Sequence, residues 1–139
     1  MWSAASRAEK HRDFSVGEKR MVWYVLFSPD SRMLAAVYGR GGPCAVKVWN
    51  VKTRKELVVI SGVPYSAYHA VRFSPDSRFL GCATTDGAVI LWDAKAGTKR
   101  VIGKHDARCV TMNLSDDGKL LVSGDAEGGV KVWRMPAGQ

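Results

Sequence analysis

Phe27-Ser28-Pro29-Asp30-Ser31-Arg32 returns as Phe73-Ser74-Pro75-Asp76-Ser77-Arg78, and a looser third copy runs Leu114-Ser115-Asp116-Asp117-Gly118-Lys119. An apolar stretch ending in Trp follows each copy, at Trp49, Trp92 and Trp133, with spacings of 43 and 41 residues. A self-similar period of that length marks a repeat architecture, in which one unit cannot bury its apolar faces alone and stacks on its neighbours. This constraint outranks composition. The 46% apolar and 24% charged residues only place the 139-residue chain among ordinary globular proteins.

Within a repeat the sequence alternates short strands with turn chemistry. In the second copy, residues 70–73 read as a strand and Ser74-Pro75-Asp76-Ser77 as a turn. Residues 79–83 form a second strand, and Asp86-Gly87 closes a tight hairpin because that pair tolerates positive φ. Ala88 to Trp92 is a third strand and residues 98–102 a fourth. Four strands at turn spacings near ten residues describe one small antiparallel sheet. The first copy needs 22 residues from its Phe to its Trp where the others need 19, and the excess falls in a Gly- and Pro-containing loop, 38–44. In Val46-Lys47-Val48-Trp49 and Val130-Lys131-Val132-Trp133 the valines alternate with Lys and Trp, so both sheet faces carry bulky apolar groups. The tryptophans are therefore expected to pack between stacked sheets.

These residues resemble the WD-repeat family of β-propellers. The FSPDS motifs, the run Thr85-Asp86-Gly87-Ala88-Val89-Ile90-Leu91-Trp92-Asp93, and His105 nine residues before Leu114 carry the resemblance over nearly the whole chain. It implies an all-β fold, a propeller segment of three four-stranded antiparallel blades forming a single domain over 1–139. Blade 1 is expected at about 20–61, blade 2 at about 66–103 and blade 3 at about 107–134. The third copy stops after its third strand, so a strand at about 10–16, of the same or another chain, is expected to complete it. The resemblance also implies a buried hydrogen-bond network. His105, Ser123, Glu127 and Trp133 supply it in copy three, with Glu127 in the acidic position. Asp86 and Trp92 remain in copy two, where Pro64 and Cys82 replace the His and the hydroxyl. In copy one Glu18 takes the His position.

The same imidazole, hydroxyl and carboxylate superficially match a nucleophilic triad, yet no strained elbow of the G-x-S-x-G kind surrounds Ser123. His11 and His69 have no metal-spaced companion, Cys44, Cys82 and Cys109 form no pair motif, and Gly39-x-Gly41-Gly42 does not open a helix. The expectation is no enzyme, no metal and no cofactor. The leading reading is a noncatalytic protein–protein interaction scaffold. Its partner face lies on the loops before the first strand and between the second and third, and includes Trp23, Tyr65, Tyr68, Thr85, Arg108 and Ala126. Partners are expected to be other proteins, with a homo-oligomer, a dimer foremost, or the remainder of a longer propeller supplying the missing blades. A net charge of +8 keeps RNA or ribonucleoprotein binding as the alternative, although its basic residues are scattered among acids. An inactive fragment of a larger WD-repeat protein is the third reading. No apolar run approaches bilayer length, and an intracellular site, cytoplasmic or nuclear, is expected.

Overall fold

The computed structural model describes residues 13–17, 20–39, 44–64 and 70–136. Among them, eleven strands form three antiparallel sheets and no helix occurs. The first sheet orders β1 (Met21–Phe27), β2 (Met33–Gly39), β3 (Cys44–Asn50) and β4 (Glu56–Val63) in sequence. The second repeats that order with β5 (Val71–Phe73), β6 (Phe79–Ala83), β7 (Ala88–Asp93) and β8 (Thr98–Lys104). The third contains β9 (Cys109–Leu114), β10 (Leu120–Asp125) and β11 (Val130–Arg134). These are three blades of a partial β-propeller. In blade 1 the strands extend to Gly39 and resume at Cys44, so the insert is shorter than the 38–44 loop expected; residues 40–43 lie outside the described residues.

The recurring hexapeptide builds a hydrogen-bonded turn between the first two strands of each blade. In blade 1 the Ser28 hydroxyl donates to Asp30 Oδ1 at 2.6 Å and accepts the Met33 amide at 3.0 Å, while Asp30 Oδ1 accepts the Arg32 amide at 2.9 Å. Ser74 and Asp76 repeat the set in blade 2, and Ser115 and Asp117 in blade 3. These bonds occupy backbone donors that the ladder leaves unpaired at the turn. They also hold Ser31 and Ser77 at φ 63° and 64°, where blade 3 has Gly118 at 73°. The turns touch across blades, since the Asp30 amide donates to Ser77 Oγ at 3.0 Å.

Two apolar layers hold the stack. Val46 and Val48 of blade 1 meet Leu80, Cys82 and Trp92 of blade 2 in the first. Val89 and Leu91 from the opposite face of blade 2 meet Met112 and Leu121 of blade 3 in the second, with Trp133 packed against it. Valines point toward the following blade and tryptophans toward the preceding one, as the alternation in the sequence requires. Trp49, with no preceding blade in the chain, packs instead on Phe14 with ring centroids 5.5 Å apart.

Residues 13–16 correct one part of the expected strand at 10–16. They are irregular rather than β, and they lie on the open face of blade 1, where Lys47 Nζ donates to the Val16 carbonyl at 3.1 Å. Residues 10–12 fall outside the described residues. The same chain's segment therefore does not complete blade 3, because its anchors are on the far side of the stack.

Candidate interaction surface and its buried support

At one end of the sheets, opposite the Ser-Asp turns, the hairpins between second and third strands gather with the loops entering each first strand. Backbone bonds tie these loops to one another, within blade 3 as well as between blades. The Thr85 amide donates to the Gly62 carbonyl at 2.8 Å, the His105 amide to the Gly87 carbonyl at 2.8 Å, and the Ala126 amide to the Arg108 carbonyl at 2.9 Å. Gly87 is held at φ +91°, and a Cβ there would lie 2.4 Å from the His105 carbonyl oxygen and 2.7 Å from that of Ala107. The hairpin is thus wedged into the next loop with room for hydrogen alone. The result is a fixed platform rather than independent loops.

Of the expected partner-face residues, Trp23, Thr85, Arg108 and Ala126 are described, and they lie at this end. Arg108 and Ala126 are exposed and Thr85 is half-buried. Trp23 occupies a bulge of β1, where pairing slips between Val22 and Tyr24, and its indole N–H donates to the Gly39 carbonyl at 3.2 Å. The ring is about half exposed at 49%, so it is fixed in orientation and still offers a surface. Tyr65, Tyr68 and His69 lie outside the described residues.

Beneath the platform, blade 3 carries a buried polar chain. Trp133 Nε1 donates to Ser123 Oγ at 2.8 Å, and Ser123 Oγ lies 2.7 Å from His105 Nε2. His105 Nδ1 faces an Asp125 carboxylate oxygen at 2.8 Å. With the carboxylate opposite Nδ1, the proton sits on that nitrogen and Nε2 accepts from the serine hydroxyl. Every donor then has an acceptor while the imidazole is neutral.

Asp125 fills the role expected of Glu127. Its other oxygen accepts the amides of Glu127 and Gly129, both at 2.9 Å, and these bonds, ahead of the His105 contact, hold its carboxyl below the usual range. The physical reason is a pairing shift between Gly124 and Asp125, which turns the shorter side chain inward over the hairpin. Glu127 is left exposed beyond the turn. Gly129 is needed there, since a Cβ would sit 2.3 Å from the Asp125 carboxylate. No nucleophile emerges from the set: Ser123 is 1% exposed and its oxygen serves two neighbours.

Blade 2 replaces this chain with apolar packing. Cys82 stands at the serine position, wholly buried, and burial pushes its thiol up to about 12. Pro64 is buried at the position of the histidine. Asp86 instead takes the Thr84 hydroxyl within its own turn, and Trp92 packs in the first apolar layer. Thr84 also accepts the Ala88 amide at 3.0 Å. The sequence reading passed over Asp125 and Thr84. The signal for both was the same: a side-chain oxygen placed to cap a hairpin amide.

Residues 63–93 and 98–134 match the model of the WD domain, G-beta repeat. The small ribosomal subunit protein RACK1 of Medicago sativa is 29% identical over 89% of this chain and 42% of its own length. WD repeat-containing protein SL1-17 of Schistosoma mansoni is 28% identical over 88% of this chain and 40% of its own. The U3 small nucleolar RNA-associated protein 12 of Saccharomyces cerevisiae is 28% identical over 84% of this chain and 12% of its own. The chain thus spans about two-fifths or less of these relatives. Among solved structures, the computationally designed Ika4 protein superposes with a TM-score of 0.64 at 25% identity, covering 90% of this chain and 72% of that one. With two repeats matched in register and the same repeat built three times as stacked four- or three-stranded sheets, the chain belongs to the WD-repeat family.

Proposed function

We propose that this protein is a noncatalytic, intracellular scaffold whose cross-bonded loop platform binds other proteins. The observation that carries this reading is the set of bonds from Thr85, His105 and Ala126 to the neighbouring loops. They hold the Arg108 loop in place before any partner arrives, and the bond to the Gly39 carbonyl does the same for Trp23, so docking orders little that was not already ordered. Aromatic and Arg side chains on a rigid base are the groups that anchor protein interfaces. WD-repeat relatives support protein interaction in general, and the identity of the partner is the open part of the proposal.

RNA binding remains the second reading because two relatives are, by name, a ribosomal subunit protein and an RNA-associated protein, and because the chain carries +8 net charge. Its cations are spread over separate elements: Lys52, Arg54 and Lys55 on the β3–β4 turn, Lys99 and Arg100 on β8. That spread supports general phosphate attraction more than base reading. The discriminating experiment compares proteins co-purifying with the wild type and with an Arg108→Glu, Ala126→Glu variant, with and without RNase. Protein partners lost in the variant and indifferent to RNase support the platform. A partner set that is unchanged by the variant, or that vanishes with RNase, overturns it.

A further inference from the structure

The two ends of the stack are the two halves of one further junction. Val25, Phe27, Leu34 and Trp49 on the open face of blade 1 occupy the repeat positions of Val71, Phe73, Leu80 and Trp92, which pack in the first apolar layer. The same positions in blade 3 are Met112, Leu114, Leu121 and Trp133, all in the second layer. At the other end, Val130 and Val132 are 70% and 62% exposed, whereas their counterparts Val46, Val48, Val89 and Leu91 are 2% exposed or less. Val25 and Phe27 at one end and Val130 and Val132 at the other are thus left exposed, while Trp49 is covered by Phe14.

Residues 13–16 show what the blade 1 face is shaped to receive. At the internal junction, Lys131 Nζ donates to the carbonyl of Lys104 at 2.9 Å, and Trp133 lies over Gly103, both in the last strand of blade 2. On blade 1, Lys47 Nζ donates to the carbonyl of Val16 and Trp49 meets Phe14. The segment therefore sits where the outermost strand of a preceding blade would sit. Between it and β1 runs an open groove of about 420 Å³ whose lining includes Val22, Val25 and Trp49. Blade 3, meanwhile, ends at β11, whose outer edge has no strand partner among the described residues.

We propose that two copies of this chain stack head to tail. The β9–β11 sheet of each enters the groove on blade 1 of the other, and residues 13–16 of that other copy run beside β11 as its fourth strand. Two such junctions close a ring of six blades, within the range in which propellers close. Side-chain sizes agree with this register. Gly81 leaves space for Met112 at the internal junction, where a Cβ would lie 2.7 Å from the methionine methyl. At the new junction the corresponding pair is Val122 with Val25, larger on one side and smaller on the other. Ser31 stands in the position of Ser77, which accepts the Asp30 amide across the first junction. Across the new one it faces the Asp117 amide.

Light scattering after gel filtration at micromolar concentration tests this directly, and independently of the loop platform. The expected mass is twice the 15.2 kDa of one chain. Val25→Asp and Val132→Asp should each fall to the mass of one chain with the β circular dichroism of the wild type retained. Mixing the two variants should restore two-chain mass, because a heterologous junction keeps one intact interface when the lesions are on different chains. Arg108→Glu should leave the mass unchanged. As a second measurement, mild oxidation of a Ser31→Cys, Asp117→Cys chain should give a covalent dimer on a non-reducing gel, since Cys44, Cys82 and Cys109 are buried. One-chain or three-chain mass for the wild type overturns the proposal. So does two-chain mass that survives both Asp substitutions, or an oxidised gel showing monomer alone.

Discussion

Replacing Ser123 by Ala tests the polar chain under the platform. The hydroxyl is the central link, accepting from Trp133 Nε1 at 2.8 Å and donating to His105 Nε2 at 2.7 Å. Its removal orphans a donor and an acceptor together. His105 is 1% exposed, so water does not replace the lost bond on the imidazole, whereas the partly buried indole recovers some solvation. At about 1–3 kcal/mol for each buried orphan, with the indole at the low end, the cost is about 2–4 kcal/mol. With a urea slope of about 2 kcal/mol per molar, the midpoint moves down by about 1–2 M. Tryptophan fluorescence and circular dichroism at one fixed protein concentration read the shift, and concentration is fixed because association adds apparent stability. Asp125→Ala should cost a similar amount, since it removes the His105 acceptor and two amide caps, while Glu127→Ala should change stability by less than about 0.5 kcal/mol. A Ser123→Ala midpoint within error of the wild type, or a Glu127→Ala loss equal to that of Asp125→Ala, refutes the assignment.

Gly87→Ala sets a Cβ against two carbonyl oxygens and forces a residue into the left-handed region, so thermal or urea melts should show a loss of about 2–5 kcal/mol. Arg78 grips Asp93 through Nε at 3.2 Å and Nη2 at 3.0 Å, and Arg78→Ala should cost about 1 kcal/mol, with Arg78→Lys recovering only part because the two-pronged geometry is lost. Acid should destabilise the fold: Asp30, Asp76 and Asp117 are held below 3.8 chiefly by their turn serines, and Asp93 chiefly by Arg78. Lowered folded values give stability that is complete above the unfolded carboxylate range, near pH 4, and lost as pH falls through the folded values, so melts should be flat from pH 7 to 5 and drop below 4. A melting temperature that rises below pH 4 contradicts that sign.

The sequence made blades and stacking legible because they depend on periodic features. Turn residues recur at fixed offsets, and Val46, Val48 and Trp49 alternate sides without regard to what lies far away. Asp125 was hidden by the same regularity. Motif register puts Glu127 over the hairpin, and only the local slip at Gly124 and Asp125 brings the shorter acid to His105. Residues 13–16, expected as part of a strand at about 10–16, are irregular instead, and their resting place on Trp49 depends on packing across 35 residues of sequence, from Phe14 to Trp49. Trp23 entered the partner face by its loop position. Its fixed orientation comes from a bulge that no residue type announces.

Blade 2 contributes to both apolar layers, Leu80, Cys82 and Trp92 from one face and Val89 and Leu91 from the other. All five residues of β6 are buried. Any excursion that frees either end blade leaves this middle sheet covered on one side, and only complete unfolding uncovers both. The amide hydrogens of β6 and β7 should therefore exchange with solvent deuterium last, at the free energy of global unfolding, while those of β1 and β11 exchange through partial opening. In a one-dimensional stack, a cavity cut into Leu80 weakens the junction with blade 1, while one cut into Leu91 weakens the junction with blade 3.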